Sequence, residues 1–367
     1  MARKRKVQLL VSFILCGLTI VLQLTARTVD GFGQWYAVHI YPFFVHTVGR
    51  ICSIVPFSAA EFVLYGLILY LLCRIGFCVF MACKEKRFEK ERWIGLLCFV
   101  FTAVSIGLCI FTLTCGINYF RIPFSEASGF SIKKHSTEEL RELCISLAEE
   151  MNEASDKLER DENGMVVICD NIHEEVNRAM KNLGEKYPVL SGYYPRPKPV
   201  TFSSVLTYQY IMGIYSPFTL EANYNRDMPD FELPYSICHE LSHLKGFMRE
   251  DEAGFIAYLA CHYSDNPMLN YSGAMEAFSY AIGDYYMTAG YEAYHQIYDM
   301  LEEEVRAEQY ASDQWWESHR TVVQTISDQL NDAYLRANDQ EDGTQSYGRM
   351  VDLLLEEFLR NRNTDDR

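Results

Sequence analysis

The sequence predicts an α+β protein, mainly helical, in which three N-terminal transmembrane helices precede an outer domain with a small β-hairpin or sheet. Three observations support this. Apolar runs long enough to cross a membrane fill the first third of the 367 residues. Apolar positions at helical spacing dominate the remainder. One stretch, 201–225, is rich in Thr, Val, Tyr and Ile and partly alternates, as a strand does.

The apolar runs cover about 7–24, 60–83 and 94–117, each near or above the ~18 residues a helix needs to cross a bilayer. Arg3, Lys4, Arg5 and Lys6 ahead of the first run also suit the start of a cleaved signal peptide. Two further spans follow, however, and no small-x-small cleavage site ends the run, so a retained anchor is expected. Basic residues in short loops set orientation. MARKRK and KEKRFEKER (84–92) are therefore expected in the cytoplasm, with the 26–59 connection and everything after the third span outside. The expected organisation is a membrane anchor over 1–117 and an extracytoplasmic domain over 118–367. The expected location is the plasma membrane, as a multi-pass protein in the lipid bilayer.

Charge divides along the same line. Residues 1–117 hold 12 Lys and Arg against 5 Asp and Glu; the remainder holds 21 against 44. An acidic body of this kind repels phosphate backbones, so no nucleic-acid partner is expected. Of the twelve cysteines, Cys144, Cys169, Cys238 and Cys261 fall in the outer domain. Four widely spaced thiols without a CxxC make neither a disulfide framework nor a cysteine zinc cage, although one bridge is open to them.

In the outer domain Ser136 or Thr137 caps a helix whose apolar positions Leu140, Leu143, Cys144 and Leu147 continue to about Leu158. A second helix is expected over about 171–183. The proline-rich stretch 187–200 then reads as an extended connector. Within 201–225 one hairpin or two to three short strands are expected, with 205–215 as a strand and Ser216-Pro217-Phe218 as its turn. Pro234 begins the next helix and Gly246 stops it. From Glu250 the chain reads helical to its end, with breaks at Asp265-Asn266-Pro267 and over 339–349.

The helix between Pro234 and Gly246 contains His239-Glu240-Leu241-Ser242-His243. Residues four apart lie one turn along and about 40° around, so His239 and His243 share a face and can both reach one Zn²⁺. Glu240 sits beside them as a general base for the water that zinc activates. A hydrolytic zinc needs a third protein ligand and an open position, and Glu250, Asp251 and Glu252 are in reach along the chain. His262 is a weaker rival, read as a packing residue. A donor for a developing oxyanion is expected on a later segment. Tyr347 and Arg349 are the first candidates, with Asn223 and Tyr285 behind them.

Glu250-Asp251-Glu252-Ala253-Gly254 resembles the Glu-x-x-Ala-Asp (or Asn) signature of glutamate-zincins. The resemblance implies Glu250 as metal ligand, with Glu252 as its alternate. It also implies an acid or amide at 254 to orient a ligand histidine, and Gly254 has no side chain for that. Another residue or a backbone carbonyl is then needed. Nearly the whole chain resembles the bacterial zincin-like family known as domain of unknown function 3810. The likeness lies in the three spans, Pro-Phe-Thr-x-Glu-Ala-Asn (217–223), HExxHxxGxxxEDEA (239–253) and Asp-Gly-x-x-Ser-Tyr-Gly (342–348).

This resemblance implies a gluzincin-like domain and, by analogy, a zinc metallopeptidase acting on a peptide or protein substrate, with Glu240 as catalytic base. Two other functions are compatible with the same residues. One is a catalytically inactive zinc-binding membrane sensor or scaffold; the other is a zinc hydrolase of non-peptide envelope bonds.

Overall fold

The computed structural model describes residues 2–338, 340 and 348–365. It divides into two compact units, Met1–Arg121 with Ser216–Glu221, and Ile122–Tyr215 with Ala222–Arg367.

The first unit is built on three helices long and apolar enough to cross a membrane. They are α1 (Ala2–Thr28), α3 (Ala59–Glu85) and α4 (Lys90–Thr114), with the short helix α2 (Phe32–His39) between the first two. α1 and α3 extend past their expected apolar spans at both ends, because the helical backbone continues into polar flanks, while α4 starts earlier and stops before the expected residue 117. Most outward side chains are apolar, as lipid contact requires: Phe13, Ile14, Leu69 and Leu97 are all more than half exposed. Polar side chains instead join α1 to α4. Ser12 meets Thr102 at 2.9 Å, Cys16 meets Ser105 at 3.3 Å, and Gln23 donates to Thr112 at 3.3 Å. Such pairings hold helices together where lipid removes the hydrophobic drive. At the start of α3 the Glu221 carboxylate accepts from the Ala59 and Ala60 N–H groups at 3.2 and 2.9 Å. A negative charge there complements the helix dipole.

The second unit is a helical body. It comprises α5 (Thr137–Ser155), α6 (Ile172–Lys186), α7 (Leu233–Leu244), α8 (Glu250–His262), α9 (Pro267–Ala289), α10 (Tyr291–Tyr298), α11 (Glu303–Ser318), α12 (Val322–Ala337) and α13 (Gly348–Asp365). Ser136 caps α5 in a capping box with Glu139. The expected continuous helicity after Glu250 is broken at more places than predicted. One of these is Gly290, whose φ of 86° only glycine adopts at no cost. The core gathers around Phe124, whose ring packs against Tyr187, Phe247 and Phe255. Leu241, Phe255, Leu259 and Leu269 are fully buried beside it.

Among the described residues one three-stranded sheet forms, with strands β1 (Lys198–Pro199), β2 (Gly213–Ser216) and β3 (Glu221–Tyr224) in the order β1-β3-β2. β1 runs parallel to β3, pairing Lys198 with Asn223. The expected strand over 205–215 is shorter than predicted. Ser204–Thr207 is a helical turn and Tyr210 takes a φ of 57°, so only 213–216 is extended. Hydrogen bonding accounts for the difference: the amide of Asn225 donates to Thr207 at 3.0 Å and to the Ile211 carbonyl at 3.3 Å, holding this segment folded on itself. The twelve cysteines are free thiols, Cys238 and Cys261 lying with their sulfurs 3.9 Å apart.

Candidate metal centre

Helix α7 begins on a 3₁₀ turn, Asp230–Glu232, with Pro234 in its first turn, where the missing N–H has no intrahelical partner to lose. It ends as the sequence predicts. Gly246 takes a φ of 84°, its N–H donates to the His243 carbonyl at 2.8 Å, and the Phe247 N–H reaches back to the Ser242 carbonyl. This left-handed closure turns the chain sharply, so that Glu250, the first residue of α8, faces the last turns of α7.

His239, His243 and Glu250 come together there, each offering one donor atom, all within 4.8 Å of one another. Glu250 Oε2 lies 3.1 Å from His239 Nε2 and 3.6 Å from His243 Nε2. The two imidazoles stand edge to face, their centroids 4.7 Å apart. All three side chains keep 10–16% of their surface accessible, so the cluster is recessed and still reachable.

The residue that orients His243 is a backbone group, one of the two substitutes the sequence leaves for the missing side chain at 254. His243 Nδ1 lies 2.8 Å from the Phe247 carbonyl oxygen, which accepts its N–H and leaves Nε2 to face Glu250. The place of a side chain at Gly254 is occupied. A Cβ there would meet the Tyr235 hydroxyl at 2.9 Å and the Met350 sulfur at 3.0 Å.

Glu240 is 5% exposed and lies beneath β2. The Tyr215 N–H donates to its carboxylate, while Oε2 has no hydrogen-bond partner among the described residues. Gly213 makes room for it, since a Cβ at that position would fall 2.7 Å from Glu240 Cγ and 2.8 Å from Oε1. Burial pushes the Glu240 carboxyl up. Burial would lower His243, but the Glu250 carboxylate outweighs it and raises the imidazole to about 9. Burial likewise works against a charged Glu250, and the imidazoles of His243 and His239 nevertheless hold it well below the usual carboxylate range.

The other acids of the segment point elsewhere. The Glu252 carboxylate accepts from the Ser125 N–H at 2.9 Å and from its hydroxyl at 2.7 Å. Asp251 takes Arg349 Nε at 2.9 Å, which places that guanidinium on a carboxylate of α8. His262 pairs with Glu150 at 2.9 Å and stacks on Tyr258. Tyr285 is buried in the core, and Asn223 is buried in β3 with its amide on the Ile214 carbonyl. Tyr347 lies outside the described residues.

Two further residues belong to this neighbourhood and escape the sequence reading. Glu276 and Tyr280 lie one turn apart on α9. The Tyr280 hydroxyl donates to Glu276, whose charge is close enough to interact with His239, as Tyr280 is with Glu250. The available signal was the isolation of Glu276, the one charged residue in the otherwise apolar and polar-neutral run 267–283.

Two imidazole nitrogens and one carboxylate oxygen on adjacent helices are a donor set that suits a divalent ion such as zinc, and three ligands leave a position open. The unpartnered Glu240 oxygen beside them suits a water or substrate group bound at that position. No curated protein and no solved structure matches the chain. The family described as a protein of unknown function (DUF3810) matches residues 36–355, most of the chain, with His239, His243 and Glu250 inside the matched region, and the chain belongs to that family.

Proposed function

We propose that the protein is a membrane-anchored zinc metallopeptidase in which His239, His243 and Glu250 hold the metal. The observation that carries this reading is the convergence of those three donors beside a buried carboxylate with one oxygen unpartnered. Zinc held there supplies Lewis-acid activation of water and of a carbonyl oxygen near neutral pH. Glu240 takes the proton of the attacking water. Its poor solvation favours the return of that proton to the leaving amine. β2 is one of the two edge strands of the sheet and passes Glu240, so an extended peptide laid along it presents its backbone to the base.

The basic flanks of α1 and of the α3–α4 loop support a cytoplasmic side for those segments, hence an extracytoplasmic metal centre in a multi-pass plasma-membrane protein. The sensor or scaffold reading drew on the lack of a side chain at Gly254 and on the strongly acidic body. The Phe247 carbonyl orients His243 without any side chain at 254, which supports a metal-binding role for these residues.

The test is hydrolysis of a broad peptide library by the full chain loaded with zinc, set against Glu240→Gln. We expect turnover in the wild type and its near-complete loss in the variant, with zinc content unchanged. Equal rates in the two proteins would remove the assignment.

A further inference from the structure

A cavity of about 810 Å³ opens beside the metal-ligand cluster, within the second unit. Glu276 links the two, lining the cavity while lying close enough to interact with His239. Glu232, which also lines it, ends the 3₁₀ turn that leads into α7. The cavity is within the ~300–1,000 Å³ range of ligand sites and exceeds a single side chain, so it can take one residue of a peptide together with part of its backbone.

Its walls combine rings with acids that form no ion pair. Phe231, Phe278, Tyr294 and Trp316 supply the aromatic surface. Among the described residues Arg320 is the one cation in the lining, and it is already engaged by Glu317 at 2.9 Å and lies over the Tyr210 ring. Among the described residues Glu232, Glu276 and Asp313 form no ion pair. Glu232 accepts from Trp316 Nε1 at 3.0 Å and from the Ser312 hydroxyl, and Glu276 accepts from Tyr280. Burial raises the Glu232 carboxyl to about 7, with no basic partner to offset it. A neutral aromatic or aliphatic guest would desolvate these acids further. A cation carried on a methylene stem would meet both the rings and the carboxylates.

We infer that this cavity receives a lysine or arginine side chain of the peptide cleaved at the adjacent centre. The inference rests on the peptidase reading and adds the substrate class to it.

The experiment uses the full chain in lipid nanodiscs and peptide pairs differing only in charge, arginine against citrulline and lysine against norleucine, at each position around the scissile bond. At one position the basic member should be preferred by about tenfold in kcat/KM, the worth of one charge-assisted contact. Asp313→Asn, at the exposed rim where folding is least at risk, should shrink that ratio. A second readout needs no turnover: Glu240→Gln protein should bind a fluorescent arginine peptide more tightly than its citrulline twin by fluorescence anisotropy. Hydrolysis without charge preference at any position would overturn the pocket and leave the peptidase reading standing. Selective binding of the arginine peptide without hydrolysis by the wild type would support the pocket and sink the peptidase reading.

Discussion

His243 turns its Nδ1 to the carbonyl oxygen of Phe247, 2.8 Å away, and its Nε2 to Glu250. That carbonyl is available only because the chain reverses through Gly246 at a φ of 84°. The glycine that stops α7 therefore also sets the tautomer of a candidate ligand.

Gly246→Ala should accordingly affect stability and metal affinity together. A Cβ in the left-handed region costs about 1–2 kcal/mol. A displaced Phe247 carbonyl releases the His243 ring, and loss of such an orienting contact typically weakens metal binding about 10–100-fold. Thermal unfolding and a competitive zinc titration would measure the two effects. A stability loss with unchanged zinc affinity would show that the carbonyl does not orient the ligand.

Gly213→Ala should separate catalysis from metal binding. The added methyl would meet Glu240 Cγ at 2.7 Å, Oε1 at 2.8 Å and the Asn223 carbonyl at 3.0 Å, and the last of these is backbone that cannot swing aside. None of the three metal-ligand candidates is among those contacts. Zinc content should persist while kcat/KM falls by up to about 10²-fold, the usual cost of displacing a catalytic group by about 1 Å. Unchanged kinetics would mean that β2 does not position the base.

Glu232 should make folding sensitive to pH. Burial raises its carboxyl from 4.5 to about 7 in the folded chain. Between those values the folded state holds a proton that the unfolded state has released, so stability is fully present below about pH 4.5 and is lost as pH rises through about 7. The full loss is about 3 kcal/mol, taking 1.36 kcal/mol per pH unit. Glu232→Gln should flatten this dependence in melting curves recorded from pH 5 to 8. Parallel curves for the two proteins would show that the group is not held protonated.

Much of this architecture is legible in the sequence, for identifiable reasons. A membrane span needs a long apolar run, and Pro234 and Gly246 act through their own backbones, so the spans and the ends of α7 could be read locally. The strand expected over 205–215 failed because β-branched and aromatic residues record burial as much as extension, and here Thr207 and Asn225 hold the chain in a turn. The partners of Gly254 were hidden because Tyr235 and Met350 reach it from elsewhere in the chain, and sequence spacing does not record such packing.

The choice between Glu250 and Glu252 was open for a geometric reason, and the fold turns it into a test. Two residues on, a helix has rotated by about 200°, so only one of the pair can face α7. Glu250 does, with Oε2 3.1 Å from His239. Glu252 points the other way and accepts both the N–H and the hydroxyl of Ser125. Glu250→Ala should therefore empty the site of zinc. It should also lower the stability of metal-free protein, because His243 and His239 outweigh burial and favour the charged Glu250 in the folded chain. Glu252→Ala should keep zinc while leaving the buried Ser125 groups without their acceptor, at about 1–3 kcal/mol. Metal content by mass spectrometry and melting temperature for both variants would decide it. Retention of zinc by Glu250→Ala with loss in Glu252→Ala would require a different ligand set and a rearranged start to α8.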